Sequence, residues 1–213
     1  EEGLKNPWGA EVGRTIAEES SSLVDRARAY AAAGSDARMN GCAMPVVINS
    51  GSGNQGITVS MPVLVYAREY KIPEDKMLRA LALSNLISLH EKRYIGSLSA
   101  YCGATSAATG AACGIAYMLG GSYEDICGII TNTINTTGGM VCDGAKSSCA
   151  SKIATAVGMA LLAMNMSEKG RVFKPGEGLV EDNVEETIES VGRMGREGMK
   201  STDVEILKIM LGK

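Results

Sequence analysis

The chain has 213 residues, of which 45% are apolar and 21% charged, and a formal net charge of −3. That composition suits a globular protein of one large or two small domains. It lacks the basic excess of a nucleic-acid binder, and its longest apolar run, residues 153–166, is too short to cross a bilayer. Six cysteines at 42, 102, 113, 127, 142 and 149, without a secretory leader, point to a reducing, cytoplasmic setting. There they serve as thiols or metal ligands rather than as disulfides. The first residue is Glu1 rather than Met, as in a fragment or a processed chain.

Aromatic residues are scarce at 4%, while there are 26 glycines and 12 methionines. A core of Ala, Gly, Met, Ile and Leu implies helices packed at short range. In chain order, Asn6-Pro7 reads as an N-cap and first helical residue, opening a helix over 7–19. A second, amphipathic helix covers 20–33, with Leu23, Val24, Ala27 and Tyr30 at helical spacing, and Gly34 closes it. A short element then leads to Gly41-Cys42, with Asp36 and Arg38 read as a surface pair. Residues 44–50 are ambiguous, since Pro45-Val46-Val47-Ile48 has the composition of a strand. Helices follow over 57–70, with Pro62 causing at most a kink, and over 76–94. The one histidine, His90, stands beside Glu91, Lys92 and Arg93 and reads as surface or interface.

Residues 96–99 lead to Cys102, and 103–119 form a helix of small residues whose Cys113, three turns on from Cys102 and on the same face, is a rival ligand but reads better as core. A helix over 123–136 carries Cys127, also read as core, and 153–166 is a buried helix. After a surface loop at 170–178, charged amphipathic helices cover 180–198 and 201–211. The latter is capped by Ser201 or Thr202, with Glu205 completing a capping box. The expectation is an all-α fold of about nine helices with at most one strand, in a single unit over 1–213.

Chemistry concentrates in residues 138–152. Cys142 and Cys149 stand seven residues apart around Gly144-Ala145-Lys146-Ser147-Ser148, and Cys102 lies forty residues earlier. On one straight helix, 142 and 149 would be separated by ~10.5 Å, long for two thiolates on one compact cluster. Gly138, Gly139 and Gly144 favour a loop that ends near Cys149, placing it in the first turn of the next helix. There the free N–H groups and the helix dipole favour a thiolate. On spacing alone, burial of both cysteines as small hydrophobes is the better reading, because C-x6-C is not a general metal signature.

The second candidate is the loop Asn49, Ser50, Gly51, Ser52, Gly53, Asn54, Gln55, Gly56. Gly51, Gly53 and Gly56 satisfy G-x-G-x-x-G literally, but nothing else in the chain reads as a βαβ unit. Ile57 stands where a phosphate-binding loop needs lysine. Backbone N–H groups before a helix, with Asn, Ser and Gln side chains around them, suit the carboxylate and amino group of a small zwitterion. The alternative is a tight turn that merely caps the next helix.

Taken together, Ser35-Asp36-Ala37-Arg38-Met39, the 49–56 loop, Ile95 to Gly103 and Met140 to Cys149 resemble the L-cysteine desulfidase family, a relative of the α part of iron–sulfur L-serine dehydratases. The resemblance runs in order along nearly the whole chain. It implies an all-helical fold and a [4Fe-4S] cluster held by Cys102, Cys142 and Cys149, with one iron free to act on substrate. It further implies α,β-elimination of L-cysteine to pyruvate, ammonia and hydrogen sulfide, or of L-serine to pyruvate and ammonia. The substrate is then held by Asn49, Ser50, Gly51, Ser52, Gly53, Asn54 and Gln55, and Lys146 is a further candidate for its carboxylate. The resemblance also implies an additional N-terminal half, where the general base is expected, with this chain as the C-terminal half and the missing half as its partner. A homo-oligomer is also compatible with the small-residue helical faces. Two other classes stand beside this one: a dinucleotide-binding oxidoreductase built on Gly51–Gly56, and a non-enzymatic helical module with all cysteines in the core.

Overall fold

In the computed structural model, which describes residues 1–96 and 99–213, ten α-helices follow one another. Ser97 and Leu98, part of the 95–103 segment, lie outside the described residues. The helices are α1 (Glu2–Lys5), α2 (Val12–Glu19), α3 (Leu23–Met39), α4 (Gly53–Glu69), α5 (Glu74–Ile95), α6 (Gly103–Leu119), α7 (Tyr123–Thr137), α8 (Cys149–Ser167), α9 (Val184–Arg193) and α10 (Lys200–Met210). A π-turn, Met194–Gly198, separates the last two. Among the described residues there is no strand, only isolated bridges at Asn49–Ser52 and Tyr101–Val141. The fold is all-α, and the Gly51–Gly56 loop has no parallel sheet behind it, which removes the support a dinucleotide site would need.

Helix α6 is the axle. Nearly all of it is buried, and it packs against α4, α5, α7 and α8. Its small residues make this possible. A Cβ on Gly110 would overlap the Ser84 carbonyl, and one on Gly114 would come within 2.6 Å of the Ala80 carbonyl, so α5 rests against the α6 backbone. The Ser84 hydroxyl donates to the Val59 carbonyl at 2.7 Å, tying α5 to α4 in the same layer. Helix α8 is long and apolar enough by composition to cross a bilayer. Here it lies against α3, α6 and α7, with Ile153, Val157 and Leu161 buried.

The helix ends follow local chemistry. Ser22 caps α3 by accepting from the Asp25 N–H at 3.1 Å. Ser122 and Asp125 form a full capping box on α7, and Asn183 caps α9. Gly96 and Gly120, both at positive φ, end α5 and α6.

Three sequence expectations fail for physical reasons, and the ambiguity at 44–50 is resolved. Asn6 closes α1 instead of opening a helix, and α2 begins only at Val12, after a bend with Gly9 and Glu11 at positive φ. Gly34 does not stop α3. It sits where a Cβ would press on Ile57 at 2.9 Å, so it serves the α3–α4 contact and the helix runs on to Met39. Residues 44–50 form no strand: the Val47 carbonyl lies against Gly56, which leaves 47–48 laid across α4. The C-terminal stretch is broken by the π-turn, and α10 starts after Met199 with no side-chain cap from Ser201 or Thr202.

Candidate functional site

The N-termini of α4, α6 and α8 meet at one cavity of about 330 Å³. It is lined by Ser50, Gly51, Ser52, Asn54 and Gln55, by Tyr101, Cys102, Gly103 and Ala104, by Cys142, Gly144 and Ala145, and by Cys149, Lys152 and Ile153. Each helix start brings unpaired N–H groups and a partial positive charge. Three cationic side chains, Arg38, Lys92 and Lys152, join them, while no Asp, Glu or His is among the described lining residues. The cavity is therefore built for negative charge.

All three cysteines singled out by the sequence line this space. Cys102 is the N-cap of α6 and Cys149 the first residue of α8. Cys142 is drawn in by the Tyr101–Val141 bridge: the Cys102 N–H donates to the Met140 carbonyl at 2.9 Å, and the Cys142 N–H to the Ala100 carbonyl at 2.6 Å. Forty residues of chain separate the two, yet this short ladder fixes them side by side. The π-turn supports it from behind. Gly195 packs against the Tyr101 ring, and its carbonyl accepts the Ser99 hydroxyl at 2.6 Å. Mid-helix π-turns often mark functional positions.

Burial pushes the Cys102 thiol up to about 11, with the Ala104 N–H opposing, Cys142 and Cys149 adding to the rise and Lys152 working against it. Burial also pushes the Lys152 ammonium down, but its hydrogen bond to Asp143 and the charges of Asp143, Cys102 and Cys142 win, leaving it above its ordinary value. Its Nζ donates to the Val141 carbonyl at 2.9 Å and to the Asp143 carboxylate, clamping the 141–143 segment to α8. Lys146 pairs with Asp143 at 3.3 Å outside the cavity lining.

The loop before α4 divides into two kinds of residue. Ser50, Gly51, Ser52, Asn54 and Gln55 line the cavity. Asn49 and Gly53 do not. Asn49 is buried, donating to the Asn85 side chain at 2.9 Å and accepting from the Ser50 and Ser88 hydroxyls at 3.0 and 3.1 Å. Reciprocal backbone bonds between Asn49 and Ser52 close a two-residue turn whose central residues, Ser50 and Gly51, both have positive φ, as such turns demand. Gly53 underlies the Arg38 guanidinium, which a Cβ there would overlap. The Gln55 side chain lies across Gly103 at the start of α6, and its Oε1 has no hydrogen-bond partner among the described residues.

Two residues read as surface prove otherwise. Asp36 is fully buried and accepts the Gly13 N–H at 2.9 Å, holding the start of α2, while Arg38 turns to the cavity, donating to Asn54 Oδ1 at 3.3 Å. They are not a pair. Lys92 was passed over with its charged neighbours, yet it is only 8% exposed and lines the cavity. Burial lowers its ammonium, opposed by Cys142 and then Cys102. A signal for this was present: Ala80, Ser84 and Ser88 recur every four residues on α5, a small-residue stripe that leads straight to 91–92 and foretells close packing there. His90 bonds Glu185 at 2.7 Å away from the cavity, Cys113 is in the core, and Cys127 is half-buried at a separate cavity beside Tyr123.

Whether these residues suit an iron–sulfur cluster can be tested on the donor set. Among the described residues no three Cys, His, Asp or Glu side chains gather as a ready site for a single metal ion. A cluster asks for a different arrangement, one thiolate on each of several irons. Three thiols line one cavity, two of them at helix starts and with Lys92 and Lys152 beside them, a donor set of the kind such a cluster takes.

A family model described as serine dehydratase alpha chain matches residues 1–208. Curated proteins named UPF0597 protein match as well. One from Lachnoclostridium phytofermentans is 53% identical over 99% of this chain and 51% of its own length. Those from Treponema denticola and Finegoldia magna are 49% and 48% identical, over 99% and 100% of this chain and 50% and 51% of theirs. The chain thus spans about half the length of the curated relatives it matches. No solved structure matches it.

Proposed function

This chain belongs to the serine dehydratase alpha-chain family, and from that premise we propose that it is the cluster-binding part of an iron–sulfur lyase that eliminates the β-substituent of L-cysteine or L-serine to give pyruvate and ammonia. The observation that carries the reading is the convergence of Cys102, Cys142 and Cys149 with the 50–55 loop on one electropositive cavity.

Cys102, Cys142 and Cys149 are the cluster ligands in this reading. When bound, the cluster supplies an open iron that acts as a Lewis acid on the departing sulfur or oxygen. The chain's own residues do the rest. The starts of α6 and α8 stabilise the thiolates at Cys102 and Cys149, each by roughly 0.3–1 kcal/mol. The Lys152 clamp and the Tyr101–Val141 bridge hold Cys142 against them. Ser50, Ser52, Asn54 and the N–H groups at the start of α4 grip the amino acid, and Gln55 Oε1 offers an acceptor to its ammonium. In this reading the acceptor for the Cα proton is assigned to the part of the longer relatives that this chain does not span, since no carboxylate or imidazole is among the described lining residues.

The test is an anaerobic assay of the full-length protein for pyruvate, with sulfide measured when L-cysteine is supplied. The proposal expects pyruvate in step with sulfide from L-cysteine, or pyruvate from L-serine, and loss of both in Cys102→Ser. Cluster-loaded protein that makes pyruvate from neither amino acid would overturn it.

A further inference from the structure

Of the three cations at the cavity, Lys152 is already engaged by Asp143 and the Val141 carbonyl. The other two have no acidic partner among the described residues lining the cavity. Lys92 is more than nine-tenths buried, and an ammonium is not held out of water without an anion to face. It lines the cavity together with Cys102 and Cys142, so in the lyase reading its charge faces the cluster ligands. Arg38 is different. Among the described residues its side-chain partners are Asn54 Oδ1 at 3.3 Å and the weak Met39 sulfur at 3.8 Å, both met by one terminal nitrogen, which leaves most of its five donors unused there. It lies over Gly53, the first residue of α4, in a space that exists only because that residue has no Cβ. A planar guanidinium and a helix start thus meet at the cavity that the three thiols also line.

We propose that Arg38 is the specificity-determining anchor for the α-carboxylate of the substrate, bound at the start of α4 so that the β-substituent points to the cysteine end. The inference rests on the amino-acid reading above and adds the residue that selects for a carboxylate and sets the orientation. Arg is suited to it because its fork matches a carboxylate with two parallel hydrogen bonds. Gln55 Oε1, buried and unpartnered among the described residues, lies nearby for the ammonium. Amines that lack the carboxylate are excluded by the cost of leaving the Arg38 end unneutralised.

The experiment measures anaerobic binding of L-alanine, which has the carboxylate and ammonium but no leaving group, to the full-length protein and to Arg38→Gln, Arg38→Lys and Gly53→Ala, with iron content determined on each sample. Arg38→Gln is expected to weaken L-alanine by about tenfold to a hundredfold, with iron content as in the parent. Arg38→Lys recovers part of the loss. Gly53→Ala keeps the charge but displaces the guanidinium, and it weakens binding too. Ethylamine, which has no carboxylate, binds all four proteins equally poorly. Unchanged L-alanine binding in Arg38→Gln, no L-alanine binding by the parent, or inorganic phosphate displacing L-alanine at lower concentration than pyruvate would each overturn the proposal. Arg38-dependent L-alanine binding in a protein that holds no iron and eliminates nothing would uphold the anchor while overturning the lyase.

Discussion

Tyr101 and Val141 face each other across an isolated antiparallel bridge, and the residue after each is a cysteine. Two backbone hydrogen bonds are enough to bring Cys102 and Cys142 together because helices α6 and α7, which span the interval, are themselves packed side by side. The loop between α7 and α8 then has only to carry Cys149 back to the same cavity, and Lys152, one turn further on, returns to hold the loop's beginning.

That clamp yields the first prediction. Lys152→Met keeps the length of the side chain and removes both of its bonds to the 141–143 segment. Groups that position ligands typically contribute about tenfold to a hundredfold in metal affinity. Iron should be lost to an external chelator about tenfold faster from this variant, with the helical circular dichroism unchanged. Equal rates would show that the clamp does not support Cys142.

Packing against α6 gives the second. Gly110→Ala forces a methyl into the Ser84 carbonyl, a backbone atom that cannot turn aside. Overpacking of this kind costs about 1–3 kcal/mol, to be read as a lower urea midpoint with an unchanged slope. An unaltered midpoint would mean that α5 and α6 are further apart than described.

The third concerns Glu91, only 2% exposed and buried behind the site near Tyr101 and Cys113. Burial holds its carboxyl well above the ordinary 4.5; Ser106 and Thr109 pull the other way, though neither carboxyl oxygen has a hydrogen-bond partner among the described residues. Below pH 4.5 the folded and unfolded chains are both protonated. As pH rises past that value the unfolded chain releases its proton while the folded one keeps it, so stability falls until the raised folded value is reached. Wild type should therefore lose up to about 1.4 kcal/mol per pH unit relative to Glu91→Gln over that window. Parallel stability curves for the two proteins between pH 5 and 7 would contradict this.

Much of the fold was legible, and the reasons are local. Helix α7 announces itself through Ser122, which caps it, α5 and α6 through the glycines that end them, and α8 begins at Cys149 as the Gly138–Gly144 loop implied. What the sequence hid was tertiary. Gly34 looks like a stop until Ile57 is seen against it. Pro7 looks like a helix start until the left-handed turn at Gly9 and Glu11 intervenes. At the cavity, the cysteines and the 49–56 loop stand out only through the combined resemblance, and Arg38 and Lys92 do not stand out as cavity residues at all. A charged residue among charged neighbours reads as solvated, and only the close approach of α4 to α3 and of α6 to α5 turns these two inward.

The most direct measurement is iron and acid-labile sulfide per chain in anaerobically purified full-length protein, beside Cys102→Ser, Cys142→Ser and Cys149→Ser. The account predicts about four of each in the parent and a clear loss in every variant. A parent that holds no iron after anaerobic reconstitution, or three variants that hold as much as the parent, would contradict it.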